Sequence, residues 1–491
     1  MCKLSVRHGI RKERGEENYC SRVIGYCETW IFSKTERNGK LMKRLFVLVF
    51  LLAIMSVSLS ACGQQGTADP APPADAGGTA DTAPAADAGD TPAASGNELT
   101  VWSWDPAFNM FAMDVAAEIF ERSNPGFVLN NLEMPWDDIN MLITTIGMSG
   151  EYDLLPDIML VQDQAFEINV LMFPGIFSDI TDSGINFAEF ASGKTDFSVV
   201  NGRNFAVPFD NGVTITAYRT DILEQAGLTV ADFTDITWDQ FIELGQTVLD
   251  ATGMPLLSTY GVGASFMDVM VKSAGTSLFD ADGQPNFVNN PTFREAVDRF
   301  IEMVDVGVML LPGDWSDYIG TLAAQNVAAT LAGCWILGTV QDVGPEGVWA
   351  VTNIPRLNVT GGTNYSSWGG SSWAVTSNAN FDLAVEFLNY TFAGSTELYD
   401  IILPAAGALS TWGPAAASTI YLEPQPFFGG QTVFADIIRF SQNIPDFVGG
   451  IHHYTAMDQI DIALGNIINL GTSIEDALTE AENAVRFEMG L

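Results

Sequence analysis

The chain has 491 residues, with 60 Asp and Glu against 21 Lys and Arg, and its formal net charge at pH 7 is −39. Residues 1–44 hold 11 of the 21 cations but only five of the 60 carboxylates, so the rest of the chain is near −45. So much negative charge excludes nucleic-acid binding through phosphate neutralisation and disfavours anionic lipid surfaces and anionic ligands.

Residues 1–41 contain nine cations and three cysteines without a clear periodicity. We expect this segment to be an over-extended reading frame or a disordered extension before a true start at Met42, and not part of the folded domain. Residues 42–61 have the composition of a secretory signal peptide, because two cations precede an uncharged run at 45–61. That run is short of the about 20 apolar residues that a membrane span needs.

The end of this signal resembles the bacterial lipobox, with Leu59, Ser60 and Ala61 before Cys62. The motif implies cleavage before Cys62 and a diacylglycerol on its thiol, which would tether the protein to the outer face of the cell membrane. A cleaved soluble protein and an uncleaved anchor are the alternatives. Only Cys62 and Cys334 remain beyond the signal, so acylation of Cys62 would exclude an intramolecular disulfide.

Residues 64–97 consist of Ala, Pro, Gly, Thr, Asp and other small or polar residues, without an aromatic or a large aliphatic side chain. Such a segment cannot bury enough apolar surface to offset the entropy of ordering. We therefore expect residues 62–97 to form the anchor cysteine and a disordered spacer.

Strand and helix patterns alternate from Glu98 onward. A β-rich segment at 99–104 is followed by apolar residues at helical spacing, and the apolar run at 156–161 predicts a buried strand. Residues 237–240 (Thr-Trp-Asp-Gln) predict a capping box at the start of a helix. Strands that alternate with helices predict an α/β fold with a mostly parallel sheet covered on both faces.

Catalytic signatures are scarce in this sequence. Beyond the signal, the histidines are His452 and His453, which are adjacent and point in different directions on regular structure. A zinc pair on a helix would need a spacing of four. No nucleophile elbow, phosphate loop or His-Glu-x-x-His motif occurs. We therefore expect no catalytic residue, no metal and no cofactor.

Seven tryptophans lie near Asp, Gly, Ser or Asn instead of inside long apolar runs: Trp102, Trp104, Trp315, Trp335, Trp368, Trp373 and Trp412. Sugar rings stack their C–H faces on aromatic planes, and their hydroxyls bond to carboxylates and amides, so a carbohydrate site needs both. Each tryptophan taken singly is equally well explained by packing in a core. Ligands of open α/β sheets bind outside the carboxyl ends of strands. The candidates on these grounds are Trp104, Asp105, Gln162, Asp163, Asp210, Trp335, Trp368, Gly369, Gly370 and Trp412.

Several segments in order resemble one family. They include Leu-Thr-Val-Trp-Ser-Trp at 99–104, Phe-Ala-Val-Pro-Phe-Asp-Asn-Gly at 205–212, Thr-Trp-Asp-Gln-Phe at 237–241, and Trp-Gly-Gly-Ser-Ser-Trp-Ala-Val at 368–375. Together, behind a lipobox, they are similar to bacterial extracellular solute-binding proteins of the sugar type, the lipid-anchored receptors of ABC importers.

The resemblance implies a periplasmic-binding-protein-like (type II) fold, in which two α/β lobes, each with a mostly parallel sheet flanked by helices, are joined by hinge strands. We place one lobe at 98–209 with 376–422 and the other at 210–375 with 423–491. In such receptors the Trp of a Gly-x-Trp segment commonly stacks on sugar, which implies this role for Trp335. Asp210 and residues 368–370 map to the cleft in the same way.

The function expected from the sequence is capture of a neutral sugar or short oligosaccharide by a monomer and its delivery to an ABC permease. The first alternative is a secreted glycoside hydrolase, since so acidic a chain has many carboxylates that could form the pair used in glycoside hydrolysis. The second is a receptor of the same fold for a cation such as a polyamine. Nucleic acid is not an expected partner.

Overall fold

The computed structural model describes residues 96–446 and 449–491. The expected extension at 1–41, the signal peptide at 42–61, Cys62 and nearly all of the spacer lie outside the described residues. Among the helices of the described part, none is both long and apolar enough to cross a membrane.

The strands are β1 (Glu98–Ser103), β2 (Val128–Glu133), β3 (Ile158–Gln162), β4 (Val199–Val200), β5 (Arg203–Asn204), β6 (Ala206–Asp210), β7 (Thr214–Arg219), β8 (Leu257–Ser258), β9 (Met309–Leu310), β10 (Ala329–Gly333), β11 (Trp349–Thr352) and β12 (Ser371–Val375). The helices of the first half are α1 (Asn109–Glu121), α2 (Trp136–Ser149), α3 (Phe166–Met172), α4 (Ser192–Thr195), α5 (Thr220–Gln225), α6 (Trp238–Thr252) and α7 (Ala264–Lys272). Those of the second half are α8 (Pro291–Asp305), α9 (Trp315–Ala323), α10 (Ile336–Val343), α11 (Phe381–Tyr390), α12 (Thr396–Ala406), α13 (Gly413–Ala416), α14 (Val433–Ser441), α15 (His453–Leu470) and α16 (Ile474–Glu488).

The predicted capping box at the start of α6 is confirmed. Thr237 accepts a hydrogen bond from the Gln240 amide at 3.3 Å, and Gln240 Oε1 accepts one from the Thr237 amide at 3.0 Å. These bonds satisfy two amides at the start of the helix. Local sequence therefore determines where this helix begins.

The first sheet has five strands in the order β2-β1-β3-β12-β6. β1 runs parallel to β2 and β3, and β12 is antiparallel to both β3 and β6. Four of the five strands therefore point the same way, and the carboxyl ends of β1, β3 and β6 meet at one edge. Side chains alternate between the faces, so Val101 and Leu160 enter the core on one face while Trp102 and Met159 enter the core on the other.

The second sheet differs from the expected mostly parallel arrangement. Its order is β10-β7-β11, and β7 is antiparallel to both neighbours. β8 and β9 form a separate parallel pair. A strand pattern does not report the direction of its partners, because the path of the chain between strands decides that direction. One large core covers this sheet and the helices around it, from Val213 to Val485.

Two extended segments run side by side between the sheets. β6 continues through residues 211–213 into β7, and the Gly212 carbonyl accepts a hydrogen bond from the Trp368 amide at 2.7 Å. The Thr214 amide donates to the Ser366 carbonyl at 2.9 Å. The second segment leads into β12, which pairs inside the first sheet, although the sequence analysis assigned 371–375 to the second lobe. The apolar pattern of β12 is compatible with either sheet. Its pairing with β3 places it in the first sheet.

A third passage between the cores lies earlier than residues 422–423, where the sequence analysis put it. Ala415 packs in the core of the first sheet, while Tyr421 already packs in the core of the second. α12 and the residues after it contribute to both, with Ala406 in the first core and Leu409 in the second. We propose that the lobes divide along these cores.

Candidate functional site

Buried polar residues form the floor between the lobes, at the carboxyl ends of β3 and β6. Asp210 accepts hydrogen bonds from the Ser371 amide at 2.8 Å and from its hydroxyl at 2.5 Å. Asp163 accepts one from the Ser372 hydroxyl at 3.1 Å, and it forms an ion pair with Lys194 from α4. The Asp163 amide donates to the Gly370 carbonyl at 3.0 Å. The structure therefore brings together the predicted Asp163, Asp210 and Gly370 and adds Lys194, which the sequence analysis missed.

The charges of this floor do not balance, since one lysine faces two carboxylates. Asp163, Lys194 and Asp210 are all buried. Burial raises the pKa of Asp163 to about 6 against the opposing pull of Lys194. Burial also raises the pKa of Asp210, again opposed by Lys194. Both carboxylates already have protein partners. We therefore propose that they hold the floor of the site in shape and are not the main groups that bind the ligand.

Gly370 allows the backbone to pass over the ion pair. Its φ is +102°, and a Cβ atom there would lie 2.6 Å from Asp163 Oδ2 and 3.3 Å from Lys194 Nζ. The buried carboxylate cannot swing aside without losing its counter-ion. We expect Gly370→Ala to lower the free energy of unfolding by about 2–4 kcal/mol, measured by denaturant titration.

Gly184→Ala is the matched control for Gly370→Ala. Gly184 has a φ of +90°, and nothing lies within 4 Å of the position that its Cβ would take. This variant should show only the cost of the left-handed conformation, about 1–2 kcal/mol. Equal costs at the two positions would mean that contact with the ion pair contributes nothing at Gly370.

An aromatic group borders this floor on the side of the second lobe. The Trp335 indole N–H donates to the Trp368 carbonyl at 3.0 Å, and the two rings lie 6.3 Å apart, edge to face. Trp368 stacks on Tyr260 at 6.0 Å, and Trp315 lies 5.6 Å from Trp335. The structure thus brings together the predicted Trp335, Trp368 and the exposed Gly369. Tyr260 follows a two-residue strand and precedes Gly261, but it was not predicted because the candidate pattern was confined to tryptophans.

Trp104 belongs to a second aromatic group, on the side of the first lobe. Its ring lies 5.6 Å from that of Trp136, edge to face, and Trp136 lies 5.9 Å from Tyr454. Tyr454 also donates its hydroxyl to Gln162 Oε1. Trp104 and Gln162 were predicted, whereas Trp136 and Tyr454 were not. Trp136 lies between Pro135 and Asp137, so the signal that selected the other tryptophans was also present there.

Asp105 follows β1 and organises the turn into α1. Its carboxylate accepts a hydrogen bond from the Ala107 amide at 2.9 Å, and its own amide donates to Asn109 at 3.1 Å. Burial raises the pKa of Asp105 to about 6, against the hydrogen bonds from the Ala107 and Phe108 amides. Asp105 lies at the predicted strand end, and its carboxylate is hydrogen-bonded to the backbone of the following turn.

Trp412 lies apart from the other candidates. It is buried in the core of the first lobe, where its indole N–H donates to Glu189 Oε2 at 2.9 Å and its ring lies 6.4 Å from Tyr399. Cys62, the predicted lipidation site, is outside the described residues. Trp412 therefore contributes to packing, because residues distant in sequence enclose it.

The described region offers aromatic faces, carboxylates and amides, and within it no group of three or more His, Cys, Asp or Glu could hold a metal ion. Two surface cavities lie elsewhere. One of about 650 Å³ is lined by β11 and α14, and one of about 360 Å³ is lined by residues from Val170 to Phe205 of the first lobe. Neither is lined by the aromatic groups or the floor. Side chains of these kinds are able to bind a ligand by stacking and hydrogen bonding.

Sequence comparison relates the chain to transport receptors. Residues 115–401 match the family model described as "Bacterial extracellular solute-binding protein". A lactose-binding protein of Rhizobium radiobacter is 35% identical over 396 residues, which cover 80% of this chain and 93% of that protein. An arabinooligosaccharide-binding protein of Bacillus subtilis (strain 168) is 25% identical over 313 residues, which cover 61% of this chain and 70% of that protein.

Structure comparison supports the two-lobed α/β fold. The ABC transporter associated binding protein from B. animalis subsp. lactis Bl-04, solved in complex with beta-1,6-galactobiose, matches with a TM-score of 0.68 at 18% identity. The match covers 80% of this chain and 97% of that one. At this identity the likeness concerns the fold.

Proposed function

The chain belongs to the bacterial extracellular solute-binding protein family, and on that premise we propose that it captures a neutral sugar or short oligosaccharide between its lobes and delivers it to an ABC permease. Members of this family work outside the cytoplasm. The relatives named above are binding proteins, so we propose that this chain releases its solute unchanged.

The observation that carries the proposal is the half-buried pair Trp335 and Tyr260, which the buried Trp368 supports from behind, beside the polar floor. Aromatic planes stack on the C–H faces of sugar rings, and the exposed Gly369 leaves the backbone open to a hydroxyl. Lys194 is the cation of the floor, and Asp163 already pairs with it. An acidic sugar would therefore find carboxylates without a free counter-ion, and a neutral one fits better.

Binding would couple to lobe movement. The two segments at 211–213 and 366–370 run side by side as the connection about which the lobes would turn. A solute that contacts both lobes stabilises the closed arrangement by its differential affinity for it. The permease could recognise the closed arrangement by the relative position of the two lobe surfaces.

Isothermal titration of a neutral sugar panel tests the proposal. The panel contains lactose and arabinooligosaccharides, as the relatives' names suggest, with galactose and maltose. We expect 1:1 binding of at least one neutral sugar and none of a uronic acid. Binding of spermidine without any sugar would replace the proposal by a receptor for cations. Turnover of an aryl glycoside that one Asp or Glu substitution abolishes would replace it by a hydrolase.

We also propose that Cys62 carries a lipid that tethers the domain to the outer face of the cell membrane. The apolar run at 45–61, the lipobox-like residues before Cys62 and the Ala- and Pro-rich spacer support this. We expect Cys62→Ser to lose incorporation of an alkyne-tagged fatty acid and to free the protein from the membrane. Unchanged labelling of that variant would contradict the proposal.

A further inference from the structure

Tyr454 reaches from the second lobe into the first. It lies in the first turn of α15, and that helix buries Ala456, Met457 and Ile460 in the core of the second lobe. The Tyr454 ring instead packs against a core of the first lobe, which contains Met159 and Phe166. The Tyr454 side chain therefore connects the two lobes. Its hydrogen-bond partner, Gln162, lies 292 residues earlier in the chain.

Two contacts join Tyr454 to the first lobe. Its hydroxyl donates to Gln162 Oε1 at the carboxyl end of β3, and its ring lies 5.9 Å from that of Trp136 at the start of α2. Burial raises the pKa of Tyr454 well above its usual range, so the phenol keeps its proton and remains a donor at any physiological pH. Both contacts join side chains of the protein itself.

A buried cluster of the second lobe packs against Tyr454. The His453 ring meets the Tyr454 ring edge to face at 5.5 Å, and His453 is buried. His453 Nε2 lies 3.7 Å from Asp268 Oδ2, and Asp268 forms an ion pair with Lys272 at 2.5 Å on α7. A residue held by a buried cluster loses little further freedom when it contacts the other lobe.

We propose that Tyr454 and Gln162 form a latch that stabilises the closed arrangement of the lobes without a solute and so sets the affinity for the solute. The proposal rests on the proposed function only in assuming that the solute binds between the lobes. If only a fraction of the solute-free protein adopts the closed arrangement, the apparent Kd equals the intrinsic Kd divided by that fraction. Tyr454 is thus a positioning residue that acts through the population of the closed state.

The test measures the separation of the lobes without any sugar. Bioorthogonal spin labels at the exposed Glu118 of α1 and Glu480 of α16 report it by pulsed electron resonance on the full chain. We expect Tyr454→Phe, and separately Gln162→Leu, to lower the closed-to-open ratio about five- to tenfold, the loss of one buried hydrogen bond. The double variant should lose little more than either single variant, because both remove the same bond.

Tyr390→Phe is the matched control. Tyr390 shares a hydrogen bond of 2.7 Å with Ser123, and both residues lie on the first lobe. This variant removes a tyrosine hydroxyl without touching the second lobe, so the ratio of closed to open protein should stay within twofold of the wild type. In titrations with a sugar that binds the wild type, the apparent Kd of Tyr454→Phe should rise by up to the same five- to tenfold.

The outcomes separate the latch from its rivals. An unchanged lobe separation with weaker sugar binding would make Tyr454 a residue that contacts the sugar and would overturn the latch. An unchanged separation in both Tyr454→Phe and Gln162→Leu overturns it as well, whatever the sugar does. A shift in separation without binding of any sugar would keep the latch and reject the proposed cargo.

Discussion

Lys194→Met is expected to lower the free energy of unfolding by about 3–5 kcal/mol, because it leaves Asp163 and Asp210 buried without a counter-ion. Methionine has a similar volume, so packing changes little and the charge is what is lost. Denaturant titration at pH 7 measures the effect. Adding Asp163→Asn in the same chain should recover more than half of the loss, since a neutral amide costs less to bury.

The cost of Lys194→Met should shrink as the pH falls. Burial raises the pKa of both Asp163 and Asp210, so the folded state holds more protons than the unfolded state just above the ordinary carboxyl pKa. In that window the stability contributed by these groups rises as the pH decreases. Without Lys194 the pKa values rise further, so the variant should gain more stability than the wild type between pH 7 and pH 5.

Arg203→Met is the control for Lys194→Met. Arg203 forms an ion pair of 3.2 Å with Asp179 in the first lobe, and the Arg203 side chain is 68% exposed. Such a pair contributes less than about 1 kcal/mol. A cost at Lys194 as small as that at Arg203 would show that Lys194 is not the counter-ion of the floor.

Trp335→Ala is expected to weaken binding of a neutral sugar about 30-fold or more, the loss of about 2 kcal/mol that a central aromatic residue contributes at an interface. Its ring contacts Trp315 and Trp368, and its N–H holds the Trp368 carbonyl at 3.0 Å. The variant therefore removes the Trp335 ring and also the hydrogen bond that holds Trp368 in place. Isothermal titration with a sugar that binds the wild type measures the change.

Trp412→Phe and Trp335→Phe form a matched pair. Trp412→Phe loses the hydrogen bond to Glu189 and some volume in the core, so we expect it to lower the free energy of unfolding by about 1–3 kcal/mol. Its sugar affinity should stay within about twofold. Trp335→Phe should weaken binding about tenfold with a smaller loss of stability. Equal effects of the pair on affinity would contradict the assignment of Trp412 to the core.

Local sequence was sufficient for much of the fold. The capping box at 237–240 and the buried strand at 156–161 were predicted because they depend on residues within one turn or one strand. Asp163 and Asp210 were predicted as site residues because ligands of open α/β sheets bind outside the carboxyl ends of strands. Trp335 and Trp368 were predicted from segments that resemble the family, and the structure places them in contact.

Other features depended on contacts that no local pattern reports. The antiparallel pairing of β7 and the place of β12 in the first sheet follow from the path of the chain between strands. Trp412 and Trp335 each have a glycine within two residues, yet Glu189 and a core enclose the first, while the second borders the floor. A local pattern reports the polarity of a few consecutive residues. It does not report which residues from distant parts of the chain will contact them.

The sequence by itself determined the extracytoplasmic setting, the alternation of strands and helices and the strand ends that carry Asp163 and Asp210. Only the tertiary structure decided the counter-ion and the contact between lobes, since Lys194 lies 31 residues from Asp163 and Tyr454 lies 292 residues from Gln162. Strands and caps form from neighbours in sequence, whereas a buried charge pairs with whichever opposite charge the packing brings near. That partner is a property of the folded chain as a whole.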